Sequence, residues 1–469
     1  MKVRKILILF INIDEDQKMI EDISDWNDNI LFQNEEVLMI KDGNSSNKAK
    51  VSYFGIVSDT PISAIINIIS SAIGGGCFIF PSILGHLGLP LTSIIFLFVL
   101  FNIYYTIDLL RMFVVDTKFF SFALMTSQIL GDNWLKVYTI SSLLFYLSTE
   151  INYLSEIYSL ISNLIDFSNY RIIINIVYFI ITISTEIAIC SYISNIQKVH
   201  LLSLISILLF IIILIYIIIQ GISSAIVESN DKFNYDKLIK PNINNYTQYF
   251  FEIMSYIIEY VYGFSYHSSY PTLLSNLRNI DDSTTKKTHI ISFIFISFSY
   301  LLITFFGFLL KTPMSEILSI KDVSSQQSFN IIIFKIIICL FLFTVVPLRF
   351  IVIRDNYSSL LYRGQKLSFK TDLIIVCACI IICNLIVCFT NESQINFNIV
   401  SNFMQLFAGI FGVIISFILP VINYIGANGM RKVKSIIGLI ILGIFCTIGA
   451  LSVGYSIYGF AIQNEFDNK

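Results

Sequence analysis

Three consecutive glycines, Gly74-Gly75-Gly76, interrupt an apolar run from Pro61 to Gly85. The chemistry on offer there belongs to the backbone. About 20 apolar residues cross a bilayer as a helix, and each glycine weakens a helix by roughly 1 kcal/mol relative to alanine. A helix broken at membrane depth survives only where its freed N–H and C=O groups line a cavity or are buried in protein. The stretch from Ser70 to Pro81 is therefore a candidate binding site inside the membrane.

A second interruption lies in the run 247–275, whose centre reads Tyr262-Gly263-Phe264-Ser265-Tyr266-His267-Ser268-Ser269-Tyr270-Pro271. One reading makes this a second break; the other makes it an amphipathic span with a proline kink. His267 sits there and titrates near neutrality when unperturbed, which suits a site or gating role as well as a structural histidine. Further ionisable residues fall at membrane depth: Glu150 and Glu156, Glu186, Glu252 and Glu259, and Lys335. A charge at the bilayer centre costs at least ~2.5–3.5 kcal/mol, so such groups usually face a cavity or a partner. Glu150 reads as a proton-coupling group or as a structural partner of Lys335; the alternative for Lys335, two turns into its span, is snorkelling to the interface.

The elements that must hold these residues are membrane helices. The chain has 469 residues, 55% hydrophobic and 13% charged, with a mean hydropathy of +0.76, against about 25% charged for a soluble domain. Its net charge of −2 and the lack of a basic stripe argue against nucleic acid as a partner. The eight cysteines all fall in apolar runs, which argues against a disulfide framework; Cys379 and Cys383 share a helix face but lack a second pair at zinc spacing, so no metal site is expected. Apolar runs at about 60–85, 90–114, 135–163, 172–192, 199–220, 247–275, 289–310, 329–353, 371–390, 397–424 and 435–460 predict an all-α polytopic membrane protein with eleven spans.

An odd span number puts the termini on opposite sides of the membrane. The inner connections then hold Arg111, Lys118, Lys136, Lys198, Arg278, Lys286, Lys287, Arg349, Arg354, Arg363, Lys366, Lys370, Arg431, Lys432 and Lys434; the outer hold only Arg171, Lys232, Lys237, Lys240, Lys311 and Lys321. The bias predicts a cytosolic N-terminus and an extracytosolic C-terminus, in the plasma membrane or an organelle membrane. Residues 1–58 are polar and acid-rich and read as a disordered cytosolic tail, uncleaved because no small-residue site follows Ile6–Ile13. Residues 461–469 read as a C-terminal tail. The breaks fall in spans 1 and 6, so 60–220 and 247–424 form two five-span halves of inverted topology, with 435–460 outside them. Matching interrupted segments in two halves point to a transporter site at mid-membrane.

These residues resemble the amino acid/auxin permease family, within the amino acid-polyamine-organocation superfamily. Asn67 followed by Gly74-Gly75-Gly76-Cys77-Phe78-Ile79-Phe80-Pro81 resembles its span-1 motif, with Phe at both Leu positions. Tyr262-Gly263-Phe264-Ser265-Tyr266-His267 with Leu277-Arg278-Asn279 is similar to its span-6 pattern. Pro347-Leu348-Arg349 resembles its span-8 Pro-x-Arg, and Gly409 to Gly412 through Pro420 its span-10 run. The resemblance covers about 60–460. It implies the leucine-transporter-like five-plus-five inverted repeat and cation-coupled amino acid transport. Sodium-coupled members carry an Asn where this chain has Ser70, and a Thr where it has Leu340, with Thr344 one turn later. Both departures favour H+ coupling or exchange over Na+, and no other cofactor is implied.

An amino acid zwitterion needs partners for both charges before it leaves water. Amides at Gly74, Gly75 and Gly76, beside a half-helix N-terminus, would suit the carboxylate. Carbonyls of Ser71, Ala72, Gly263 and Phe264 would suit the ammonium, and Phe264 and Tyr266 would wall the side-chain pocket, with Ser265 between them. Asn67, Glu150, His267 and Thr344 are the coupling or gating candidates. The expected function is secondary active amino acid transport by alternating access. The alternative is a non-transporting amino acid sensor using the same site and the N-tail. No His/Asp/Glu cluster suits intramembrane catalysis, so an enzyme is not expected.

Overall fold

The computed structural model describes residues 52–53, 56–57, 60–164, 171–192, 196–228, 246–275, 277, 280–310, 329–362, 369–392, 406–429 and 432–467. The expected N-tail up to residue 51, Arg278, Asn279 and most interhelical connections lie outside them. The chain divides into two units, Met1–Val57 and Ser58–Lys469. In the first, β1 (Ser52–Tyr53) pairs antiparallel with β2 (Ile56–Val57), Ser52 opposite Val57.

The second unit is helical among the described residues. α1 (Pro61–Ala72) starts on Thr60, whose hydroxyl accepts from the Ser63 amide at 3.3 Å, with proline at the first position. It ends at Ile73 and Gly74, both extended, and a 3-10 turn (Gly75–Ile79) leads into α2 (Phe80–Thr117). α2 has 38 residues, too long for one pass of a hydrocarbon core about 30 Å thick. Gly88, at φ 73°, and Pro90 break it where the sequence puts the turn between its first two predicted spans. There follow α3 (Phe122–Leu130), α4 (Asp132–Leu164), α5 (Arg171–Tyr192), α6 (Ile196–Glu228), α7 (Tyr246–Gly263), α8 (Tyr270–Leu274), α9 (Asp282–Phe308), α10 (Phe329–Tyr362) and α11 (Phe369–Glu392). Two π-helical stretches, Ala408–Gly412 and Ile414–Ile418, lead into α12 (Leu419–Asn428). α13 (Val433–Asp467) runs through most of the segment expected as a C-terminal tail.

Among the described residues, six helical segments are long and apolar enough to cross a membrane: Gly75–Thr117, Val199–Ile226, Asp282–Phe308, Asn330–Phe350, Gly409–Asn428 and Val433–Tyr458. Their outward stripes are apolar at helical spacing, as in Ile205, Leu208, Ile212, Ile215 and Ile219 on α6 or Ile291, Ile294, Phe298 and Leu301 on α9. Leucine and isoleucine facing outward every third or fourth residue suit lipid as solvent. The inward faces carry the polar atoms. Asn423 donates to Thr126 at 2.9 Å, Thr182 to Asn384 at 2.9 Å, and Ser63 bonds His200 at 3.1 Å. At one end of α2, Arg111 binds Asp108 at 2.8 Å and Asp282 at 2.5 Å, and Lys434 reaches Asp108 at 3.3 Å, tying α2, α9 and α13 together.

Candidate functional site

The two breaks pack directly against each other. Glycine is required at the first for close approach, since none of its three residues has a positive φ. A Cβ at Gly74 would stand 1.9 Å from the Tyr153 hydroxyl oxygen, one at Gly75 2.4 Å from Glu156 Oε2, and one at Gly76 2.9 Å from the Tyr262 ring. At the second break a Cβ on Gly263 would stand 2.5 Å from the Phe80 ring. α4 thus presses Tyr153 and Glu156 onto the first break, and each break presses an aromatic ring onto a glycine of the other.

A side chain from α9 joins them. The Tyr300 hydroxyl lies 2.9 Å from the carbonyl oxygens of both Ala72 and Gly263. These are two of the carbonyls the sequence offers to an ammonium; a phenol bridges them here. Phe264 is fully buried in a ring cluster with Phe80, Phe96 and Tyr300, at centroid distances of 6.5, 5.8 and 4.8 Å. Tyr266 is fully buried, and Ser265 bonds Ser416 at 2.6 Å. Gly74, Gly75, Gly76, Gly263, Phe264, Ser265 and Tyr266 thus form a tightly packed layer.

The open space lies beside this layer. A cavity enclosing about 710 Å³, including its share of open solvent, is lined by Asn67 and Ser71 of α1, Ser268, Ser269 and Thr272 around α8, and Tyr138 and Tyr146 of α4. Leu273 of α8, Val199 and Ser203 of α6, Ser121 and Phe122 at the start of α3, and Leu348, Arg349, Val352 and Asn356 of α10 complete the wall. The predicted site residues therefore separate: Asn67 and Ser71 face the cavity, and the glycines do not line it. Ser269 approaches Ser71 at 3.4 Å and joins the two broken elements at the cavity wall.

The coupling candidates have distinct surroundings. Glu150 is fully buried, and neither carboxylate oxygen has a hydrogen-bond partner among the described residues. The charges acting on it are Arg349 and Glu186, which replaces the pairing with Lys335 considered from sequence. His267 Nε2 bonds the Thr106 hydroxyl at 2.9 Å, while its Nδ1 has no partner among the described residues. Asn67 Oδ1 also lacks one. Thr344 donates to the Phe341 carbonyl at 2.6 Å, and Leu340 is 50% exposed on the outward face, so a side chain there could not reach the interior.

Arg349 carries the main surprise. The sequence places it among inner connections; the structure buries it within α10, with 6% of its surface exposed, at the cavity wall. Arg349, Tyr146 and Tyr153 are not among the residues that the sequence reading assigns to the site. A signal existed for the tyrosines, because Tyr146, Glu150 and Tyr153 share one helix face at i, i+4 and i+7. Arg349 lay in view inside Pro347-Leu348-Arg349. Nothing marks Tyr300 among 25 tyrosines.

Known proteins place this arrangement. A histidine-to-alanine mutant of the Eremococcus coleocola manganese transporter superposes with a TM-score of 0.57 at 11% identity, over 89% of this chain and 91% of that one. A Na+-coupled sialic acid symporter in a substrate-bound outward-open state gives a TM-score of 0.53 at 14% identity, over 85% and 88%. At such identities the likeness is one of fold, and both are transporters. No curated protein sequence matches the chain significantly. The model of the family described as transmembrane amino acid transporter protein matches residues 58–463, and together with the helices just described it makes this chain an integral multi-pass membrane protein belonging to that family, the amino acid/auxin permeases.

Proposed function

We propose that the chain carries amino acids across its membrane as a secondary transporter working by alternating access, driven by protons or by exchange. The observation that carries this reading is a cavity walled by both broken elements, with Asn67, Ser71, Ser268, Ser269 and Arg349 set among apolar side chains. Side chains of α1 and of the segment around α8 meet across it, as the Ser269–Ser71 contact at 3.4 Å shows. Membership of an amino acid transporter family supports the substrate class.

In this reading the helices make eleven passes, with residues 60–220 and 247–424 as inverted halves and 435–460 as an additional pass. The N-terminus faces the cytosol and the C-terminus the other side. The cavity walls include the starts of α3 and α6 and the later part of α10, which neighbour the Lys/Arg-rich connections, so the cavity opens to the cytosol. The packed layer at Gly74–Gly76 and Gly263–Tyr266 then closes the opposite side. Alternating access requires this layer to part and the cavity to close. Glu150 and His267 are the proton-coupling candidates, being buried titratable groups with unused polar atoms.

The test is uptake of labelled amino acids by proteoliposomes holding the purified full chain, across a panel, at two pH values, with and without sodium. Saturable uptake lost in Gly75→Leu supports the reading. Its absence for every amino acid, in protein that elutes as a single folded species, sinks it; sodium dependence would overturn the coupling assignment.

A further inference from the structure

We infer that Arg349 is the receptor for the substrate's carboxylate, in place of the glycine amides that the sequence offers. The inference rests on the transport reading and assigns the polarity of its site.

A guanidinium at membrane depth is expensive unless it faces a cavity or a partner. Arg349 is nearly wholly buried and lines the cavity. It has five N–H donors and no acceptor, and the structure meets few of them. Nη2 reaches the Tyr153 hydroxyl at 3.4 Å, and the rings of Tyr146 and Tyr153 lie 5.6 and 5.8 Å from Cζ. Nε has no partner among the described residues. Glu150 acts on the guanidinium electrostatically without a hydrogen bond or an ion pair between them. Charge is thus offset at a distance, the tyrosine hydroxyls take part of the donor set, and Nε stays unused. A planar fork with a donor to spare, held by tyrosine rings, suits a carboxylate bound through two parallel bonds.

Other residues of the wall supply the complement. Asn67 Oδ1 on α1 has no donor among the described residues, and Ser71 and Ser269 add hydroxyl oxygens beside it. These atoms can accept from an ammonium group. The cavity therefore has a donor-only pole on α10 and an acceptor-bearing pole on α1 and near α8, the pattern that an α-amino acid zwitterion matches. The glycine amides lie in the packed layer under Tyr153 and Glu156.

The experiment measures thermal stabilisation of the purified full chain by the proteinogenic L-amino acids, by their methyl esters and by propionate, in wild type, Arg349→Gln and Arg349→Lys. The expected result is that wild type binds its preferred amino acid at least about tenfold more tightly than the ester. Arg349→Gln loses that preference and binds acid and ester alike, and Arg349→Lys restores part of it. Equal discrimination of acid from ester by wild type and Arg349→Gln overturns the inference and leaves the transport reading standing. Stabilisation by propionate alone, lost in Arg349→Gln, keeps Arg349 as a carboxylate receptor and overturns the amino acid reading. No stabilisation of wild type by any of these probes overturns both. Should Arg349→Gln fail to fold, wild type against Arg349→Lys decides, because a lysine cannot reproduce the two-pronged contact and the preference must fall.

Discussion

Gly74 and Ser71 stand three residues apart yet meet opposite surroundings. Gly74 is pressed against a tyrosine hydroxyl so closely that no side chain fits, whereas Ser71 borders an open cavity. The same contrast holds at the second break, where Phe264 is sealed among rings and Ser268 and Ser269 face the cavity. Both broken elements have one sealed end and one wet end. The breaks therefore do more than free backbone groups: they let each element belong to a closed layer and an open cavity at once. That is the geometry a gated carrier needs in one of its two states.

The contrast is broken most strongly at the sealed end. Gly74→Leu should abolish folding or transport, because overpacking a filled interior costs about 1–3 kcal/mol or more and the Cβ alone would stand 1.9 Å from Tyr153. Ser71→Ala, on the cavity side, should leave expression and melting temperature close to wild type. Comparing yield and melting of the two variants checks this; equal losses would erase the distinction between the ends.

Tyr300→Phe comes next. It removes the hydroxyl that serves the Ala72 and Gly263 carbonyls, and an unmet buried acceptor costs about 1–3 kcal/mol. The variant should melt lower and show easier labelling of Cys77, which is buried beside the first break. Unchanged melting and labelling would mean that Tyr300 does not hold the layer shut.

Smaller effects belong to the periphery. Asp282→Asn removes the ion pair to Arg111, but Asp282 is 67% exposed, so the loss should be no more than about 1 kcal/mol, read by melting in low and high salt. The mildest change is at Asp281. Its carboxyl caps α9 by accepting from the Thr284 amide at 3.0 Å, and hydrogen bonds from Thr284 hold it below the usual carboxylate range. A depressed folded-state value means the cap's contribution is present above the ordinary carboxylate range and fades as pH falls through the folded value. Asp281→Ala should melt slightly below wild type at neutral pH, where the cap is fully formed, and the two should converge as pH falls through the carboxylate range.

Much of the fold was legible because lipid imposes a simple rule. Apolar stripes at helical spacing on α6 and α9 follow from sequence, and so do the breaks at Gly74–Gly76 and Gly263, since glycine runs inside apolar segments admit few explanations. The purpose of those glycines was not legible. A glycine that welcomes a ligand and one that admits a tyrosine ring look identical in sequence; only the positions of Tyr153, Glu156, Tyr262 and Phe80 separate them. Arg349 was visible in its motif but misplaced, because arginine near the end of an apolar run usually marks an interface and here marks a cavity wall. Tyr300 had no local signal at all, its role being fixed by two carbonyls far away in the chain.

Under the proposed function, substrate meets the protein in the cavity, from one side, between the two broken elements. Ser71→Cys, in full-length protein cleared of reactive native thiols and reconstituted with known orientation, tests it with a membrane-impermeant thiol reagent. Modification is expected from the cytosolic face alone, with protection by a saturating transported amino acid. Equal modification from both faces, or no protection by any amino acid that the protein transports, would contradict it.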